Sequence, residues 1–153
     1  MNLGDLLNER LISADLKADG KLAVLEELAG LITRVHEEIN PESVARALLD
    51  RERIMSTAVG DGVAIPHAKT SAVDQIVACL GVSPRGIDFD ADDGSRTHIF
   101  FTLLAPENST GEHLKVLARI SRLCQDALFR KQLREAGSGH GILDIVRDAE
   151  TKL

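Results

Sequence analysis

Two runs near the middle of the chain constrain its fold more than anything else. Gln75–Val82 (QIVACLGV) and Thr97–Leu104 (THIFFTLL) are apolar on both faces instead of alternating. Successive side chains of a strand point to opposite faces, so a run that is apolar at both parities needs cover on both faces. Strands of this kind lie in the middle of a sheet between two layers. The flanking sequence supplies those layers. Residues 20–36 carry Leu22, Leu25, Ala29, Ile32 and His36 at helical spacing. Asn40-Pro41-Glu42 starts a second helix, with Asn as cap and Pro in the first turn, and predicts its end near Asp50. Ser109-Thr110-Gly111-Glu112 has the form of a capping box. The helix behind it carries Leu114, Leu117, Ser121 and Cys124 on one face, with Ile120 beside them. Two more helices are expected, from Asp126 to just before Gly137 and over about Gly141–Ala149. Ser56–Val59 and Gly62–Ile65 read as short strands broken by Gly60-Asp61-Gly62. Helices, then strands, then helices make an α/β chain, a sheet between helical layers.

Composition narrows the class of function. The chain has 153 residues, the size of one domain spanning 1–153, with 44% hydrophobic and 27% charged residues. Its net charge is −6, and its only aromatics are four phenylalanines. That excludes a basic nucleic-acid footprint and a stacking platform for bases. Cys79 and Cys124 lie in apolar patterns without C-x-x-C spacing, as two reduced core thiols would. No apolar run reaches the ~18 residues of a membrane span, and the first residues lack a basic-then-apolar leader. A cytoplasmic protein that does not insert in membranes is expected.

Five histidines carry the candidate chemistry, and none has a metal-ligand spacing. His36 ends a helix, where a cation suits the dipole. His98 falls in a buried strand and reads as a hydrogen-bonded packing residue, and His140 as a solvated turn residue. His67 differs, because Pro66 before it restricts the backbone at a strand end and presents the imidazole at a defined point. A neutral imidazole there has a lone pair for an electrophile. Local features alone leave His67 open between a nucleophile and a plain turn histidine. His113 falls in the first turn of a helix, where free amides favour an anion. Arg51 and Arg53 precede Ser56 and Thr57, and guanidinium groups suit phosphate oxygens. A nucleophilic histidine with anion-stabilising neighbours is what phosphoryl transfer needs. The acidic turn Asp88–Gly94 reads as a solvated loop, with steering of a basic partner as a second possibility.

The run Arg51-Glu52-Arg53-Ile54-Met55-Ser56-Thr57-Ala58-Val59-Gly60-Asp61-Gly62-Val63-Ala64-Ile65-Pro66-His67 closely resembles the signature of enzyme IIA domains. The class is the mannitol/fructose/nitrogen (type 2) one of the phosphoenolpyruvate-dependent phosphotransferase system (PTS), most like the stand-alone nitrogen-regulatory IIA. His113-Leu114 through Leu117 and Ile120 resembles that family's second histidine motif. The resemblance implies a mixed sheet with helices on both faces, a three-layer α/β/α fold. It implies that His67 accepts a phosphoryl group on Nε2 from the phosphohistidine of HPr or its nitrogen-branch homologue. His113 would bond the transferred group or the active imidazole, Arg51 would offset its charge, and Ser56 and Thr57 would donate hydrogen bonds or serve structure only. Neither metal nor cofactor is implied, since phosphoryl passes between histidines, or on to a cysteine of enzyme IIB. Nitrogen regulation through a target protein is favoured by one domain filling the chain. A sugar-specific IIA serving IIB is the alternative, and a non-catalytic binding module is another. The family usually has Gly after the active histidine where this chain has Ala68, so a position needing φ > 0 would be strained.

Overall fold

The computed structural model describes residues 2–153. The two apolar runs are adjacent antiparallel strands, β5 (Val77–Ile87) and β6 (Thr97–Ala105), paired from Val77↔Leu104 to Ile87↔Thr97. Shorter strands complete a six-stranded mixed sheet: β1 (Ile12–Ser13), β2 (Ala58–Gly60), β3 (Val63–Ala64) and β4 (His67–Lys69). β1 runs parallel to β5, and both β3 and β4 run parallel to β6 along its other edge, with β2 antiparallel beyond β3. Helices α2 (Lys21–Thr33) and α3 (Pro41–Ile54) pack on each other and against β5 and β4. Helices α4 (Thr110–Cys124), α5 (Ala127–Glu135) and α6 (Gly139–Glu150), with the short α1 (Leu3–Leu6), form a second group against β5, β6 and β1. The mixed sheet flanked by helices is the expected fold.

The core follows from the same pattern. Leu80, Ile99, Phe100, Leu103 and Leu104 are fully buried, as residues of both parities must be in covered strands. Gly81 leaves no room for a side chain, because a Cβ there would lie 2.7 Å from the buried Leu16. Asn40 caps α3 by accepting from the Glu42 and Ser43 amides, with Pro41 behind it as the sequence predicts. Asp126 and Ser138 cap α5 and α6. Both cysteines are free and buried, and burial pushes each thiol up to about 12, so they remain uncharged.

Several local expectations need correction. α3 runs on to Ile54, so Arg51 and Arg53 belong to its last turn and do not follow it. The capping box does not form: Ser109 Oγ donates to Pro106 O, and no side chain caps α4. The buried residues of α4 are His113, Val116, Ile120, Leu123 and Cys124; of the expected face Cys124 is buried and Leu117 partly so, whereas Leu114 and Ser121 are exposed. Choosing the face by hydrophobicity passed over His113, which occupies an inward position. Leu22 on α2 is likewise more than half exposed, while Leu28 and Val24 are buried. His140 is solvated as expected, but it belongs to the start of helix α6 and not to a loop, and its ring bonds Glu9. In the acidic loop Phe89 is fully buried against the Phe100 ring, edge to face at 5.3 Å. The loop is therefore anchored to the core through Phe89, with its carboxylates exposed.

Candidate active site

The topology brings three chain segments to one end of β6. β4 pairs with the last residues of β6, His67 opposite Leu103, Ala68 opposite Leu104 and Lys69 opposite Ala105. The chain leaves β6 through Pro106 and enters α4, whose first turn contains His113. The His67 and His113 rings then lie 5.6 Å apart between centroids, tilted by 50°. α3 packs against β4, and the Arg51 charge is felt at His67. The two histidine motifs, 46 positions apart in the chain, thus meet in space.

His67 is held by its own strand. Its Nδ1 lies 2.6 Å from Ile65 O. A carbonyl only accepts, so Nδ1 carries the proton and Nε2 keeps its lone pair. Burial, then the Arg51 charge, lowers the His67 pKa from 6.5, outweighing the Ile65 bond and the Glu52 carboxylate that act the other way. The ring is neutral at pH 7, with its nucleophilic nitrogen set by geometry. Pro66 O accepts from the Leu103 amide, so the segment before the histidine is tied into the sheet.

His113 is nearly sealed, and its Nδ1 is buried without a hydrogen-bond partner among the described residues. No protein group therefore sets its tautomer. Burial, then the charges of His67 and Lys69, lower its pKa as well. Lys69 is two residues beyond His67 on β4 and so shares its face, with Nζ 3.1 Å from Thr110 Oγ1 at the uncapped start of α4. Sequence reasoning passed over Lys69, although that spacing was a usable signal.

The serine and threonine are committed elsewhere. Ser56 Oγ donates to Phe89 O at 2.9 Å. Thr57 Oγ1 donates to Glu52 Oε2 at 2.6 Å, and its amide also donates to that carboxylate. Neither hydroxyl has a proton left for a phosphoryl group, so the arrangement favours the structural alternative for both. Arg51 donates from Nη1 to Met55 O at 2.9 Å, and its remaining N–H groups have no carboxylate partner among the described residues. Ala68 has no positive φ; it is buried strand backbone, and the strain expected of a non-glycine residue does not arise. A groove of about 720 Å³ between α2 and α3, floored by Leu22, Ala45 and Leu49, holds neither histidine. His67 itself is half-buried.

Fold and site together describe a small α/β protein with a neutral imidazole, one nitrogen free, presented at the end of a sheet. Residues 5–149 match the family described as "Phosphoenolpyruvate-dependent sugar phosphotransferase system, EIIA 2", and the chain belongs to it. It is 38% identical over 146 residues to the nitrogen regulatory protein of Bradyrhizobium diazoefficiens, covering 95% of each chain. It is 34% identical to the PTS system fructose-specific EIIABC component of Bacillus subtilis, of whose length it spans 23%. The crystal structure of nitrogen regulatory protein IIA-Ntr from Neisseria meningitidis superposes with a TM-score of 0.88 at 32% identity, covering 94% of this chain and 98% of that one. No helix among the described residues is long and apolar enough to cross a membrane.

Proposed function

We propose that the chain is a phosphocarrier of the nitrogen branch of the phosphotransferase system, with His67 as its phosphorylated residue. The observation that carries this reading is the 2.6 Å contact from Nδ1 to Ile65 O, which leaves Nε2 as the one nucleophilic nitrogen. Nε2 attacks the phosphorus of a phosphohistidine on HPr or its nitrogen-branch homologue. The donor's P–N bond breaks, its imidazole recovers the electron pair, and a new P–N bond forms at Nε2. The His67 ring then carries both the phosphoryl and the Nδ1 proton, and Ile65 O stabilises the positive charge that develops on it. Arg51 and Lys69 offset the phosphoryl charge, and His113, with no hydrogen-bond partner for Nδ1 among the described residues, offers an N–H to a phosphoryl oxygen. Donor and acceptor are both imidazoles, so the transfer runs without metal or nucleotide.

On this reading the chain works in the cytoplasm, and its phosphorylation state determines which target protein it binds. The nitrogen branch is supported by the Bradyrhizobium and Neisseria relatives. A second reading, delivery of phosphate to a fructose-type enzyme IIB, has the Bacillus fructose component in its favour. Incubation with phosphoenolpyruvate, enzyme I and the carrier should add ~80 Da to the intact mass, one phosphoryl group. An unchanged mass with active carriers would leave a non-catalytic binding module as the account. Rapid onward transfer to a fructose IIB would move the assignment to the sugar branch.

A further inference from the structure

Glu52 is a charged residue in a place that works against it. It lies in the last turn of α3, where the helix dipole disfavours an anion, and it is only 4% exposed. The carboxylate is held there by a full set of partners. The Thr57 amide donates to both its oxygens at 2.9 Å, the Thr57 hydroxyl donates to Oε2 at 2.6 Å, and Lys21 Nζ lies 3.1 Å from Oε1. Lys21 in turn reaches Asp90 at 2.9 Å and lies over the Phe89 ring, whose carbonyl accepts from Ser56. Consecutive residues of α3 thus grip the segment that folds back beneath its end: Arg51 takes the carbonyl of Met55, and Glu52 takes the amide and hydroxyl of Thr57.

Resting on the reading of His67 as the phosphoryl acceptor, we infer that Glu52 is a positioning residue for that transfer, acting through Thr57. Fixing Thr57 fixes residues 55–57. The Met55 carbonyl then holds the Arg51 guanidinium in one orientation, and that guanidinium is the cation felt at His67. The threonine of the motif serves the reaction by locking this loop and gives no hydrogen bond to the phosphoryl group. Lys21 and Asp90 extend the lock to the start of α2 and to the acidic loop.

The test is single-turnover phosphorylation from the phosphorylated carrier, with maximal rate and half-saturating carrier concentration read separately, alongside thermal melting. Glu52→Gln keeps the shape and loses the charge. Thr57→Val removes the hydroxyl, and Thr57→Ser restores it. Glu52→Gln and Thr57→Val are each expected to lower the maximal rate by about 3- to 10-fold, no more than losing the Arg51 guanidinium they position. Half-saturation should stay constant. Thr57→Ser should recover the rate lost in Thr57→Val, and the Glu52→Gln/Thr57→Val double variant should be no slower than either single one. If Glu52→Gln does not fold, the Thr57 pair decides alone. Wild-type rates in Thr57→Val, a Thr57→Ser as slow as Thr57→Val, or losses that track melting temperature would overturn the inference. A wild-type chain that takes no phosphoryl group on His67 would overturn the function beneath it, an outcome distinct from all of these.

Discussion

His67 and His98 make the same first contact and reach different chemistry. Each ring places Nδ1 against a backbone carbonyl, Ile65 O at 2.6 Å and Ser83 O at 2.8 Å, so each carries its proton on Nδ1 and its lone pair on Nε2. At His98, Nε2 lies 3.4 Å from the Arg134 guanidinium, which donates towards it, and the ring is pressed against the backbone at Gly86. At His67, Nε2 has no protein partner among the described residues, and a second imidazole lies 5.6 Å away between centroids. Tautomer locking is therefore a general device of this sheet. An unspent nitrogen with cations and another imidazole nearby is particular to one place.

The sharpest way to break this comparison is to remove each ring in turn. His67→Ala should abolish the ~80 Da phosphorylation shift, whereas His98→Ala should retain it. A phosphorylated His67→Ala protein would show that the distinction drawn between the rings is mistaken. Next in size is the neighbouring imidazole: His113→Ala should slow transfer by about 10²-fold, the scale of losing one preorganised donor to a developing charge. A near-native rate would make His113 a packing residue. Arg51→Ala should cost less, about tenfold, because Lys69 shares the face and keeps part of the charge.

Smaller effects come from pH. The His67 pKa lies below 6.5 in the folded chain, so between that value and 6.5 the unfolded state binds more protons. Its contribution to stability is present above pH 6.5 and is lost as pH falls through the folded pKa. The nucleophile likewise stays available below 6.5. An NMR titration of the ring should have its midpoint below 6.5, and a midpoint at or above it would contradict the site electrostatics described. His140 is the opposite case. Its pKa is raised by the hydrogen bond to Glu9, at 2.8 Å, and by Asp144 and the Glu9 charge. That contribution is present below 6.5 and fades as pH rises through the folded pKa. The cluster is open to solvent, so His140→Ala should alter the melting temperature only slightly, and more at pH 5.5 than at pH 8.

The central strands and main helices were legible because their patterns are long. β6 covers the whole of its expected run, β5 covers Val77–Val82 of its run and continues to Ile87, and Asn40-Pro41 marks the start of α3. The short strands were harder. β4 has three residues directly after a proline, and what makes it a strand is its parallel pairing with β6, a contact that no local pattern encodes. The N-terminal elements before α2 escaped notice for the same reason; Leu3 and Gly4 donate their amides to Glu150, 146 or more positions away. Within the site, His67, His113 and Arg51 could be picked out because their residue types suit phosphoryl chemistry. Glu52 could not, since a charged residue beside an arginine looks like surface until its burial is known, and Lys69 was marked only by its two-residue spacing from His67. The hydroxyls of Ser56 and Thr57 were ambiguous in sequence because their donors are spent on partners 33 and 5 residues away.

The most direct test of the central claim is the nitrogen that bears the phosphoryl group. The chain should be phosphorylated with ¹⁵N-labelled histidine and the P–N coupling read by NMR. The geometry predicts phosphorus on Nε2 of His67, with Nδ1 still protonated against Ile65 O. Phosphorus on Nδ1 of His67, or on another histidine, would contradict it.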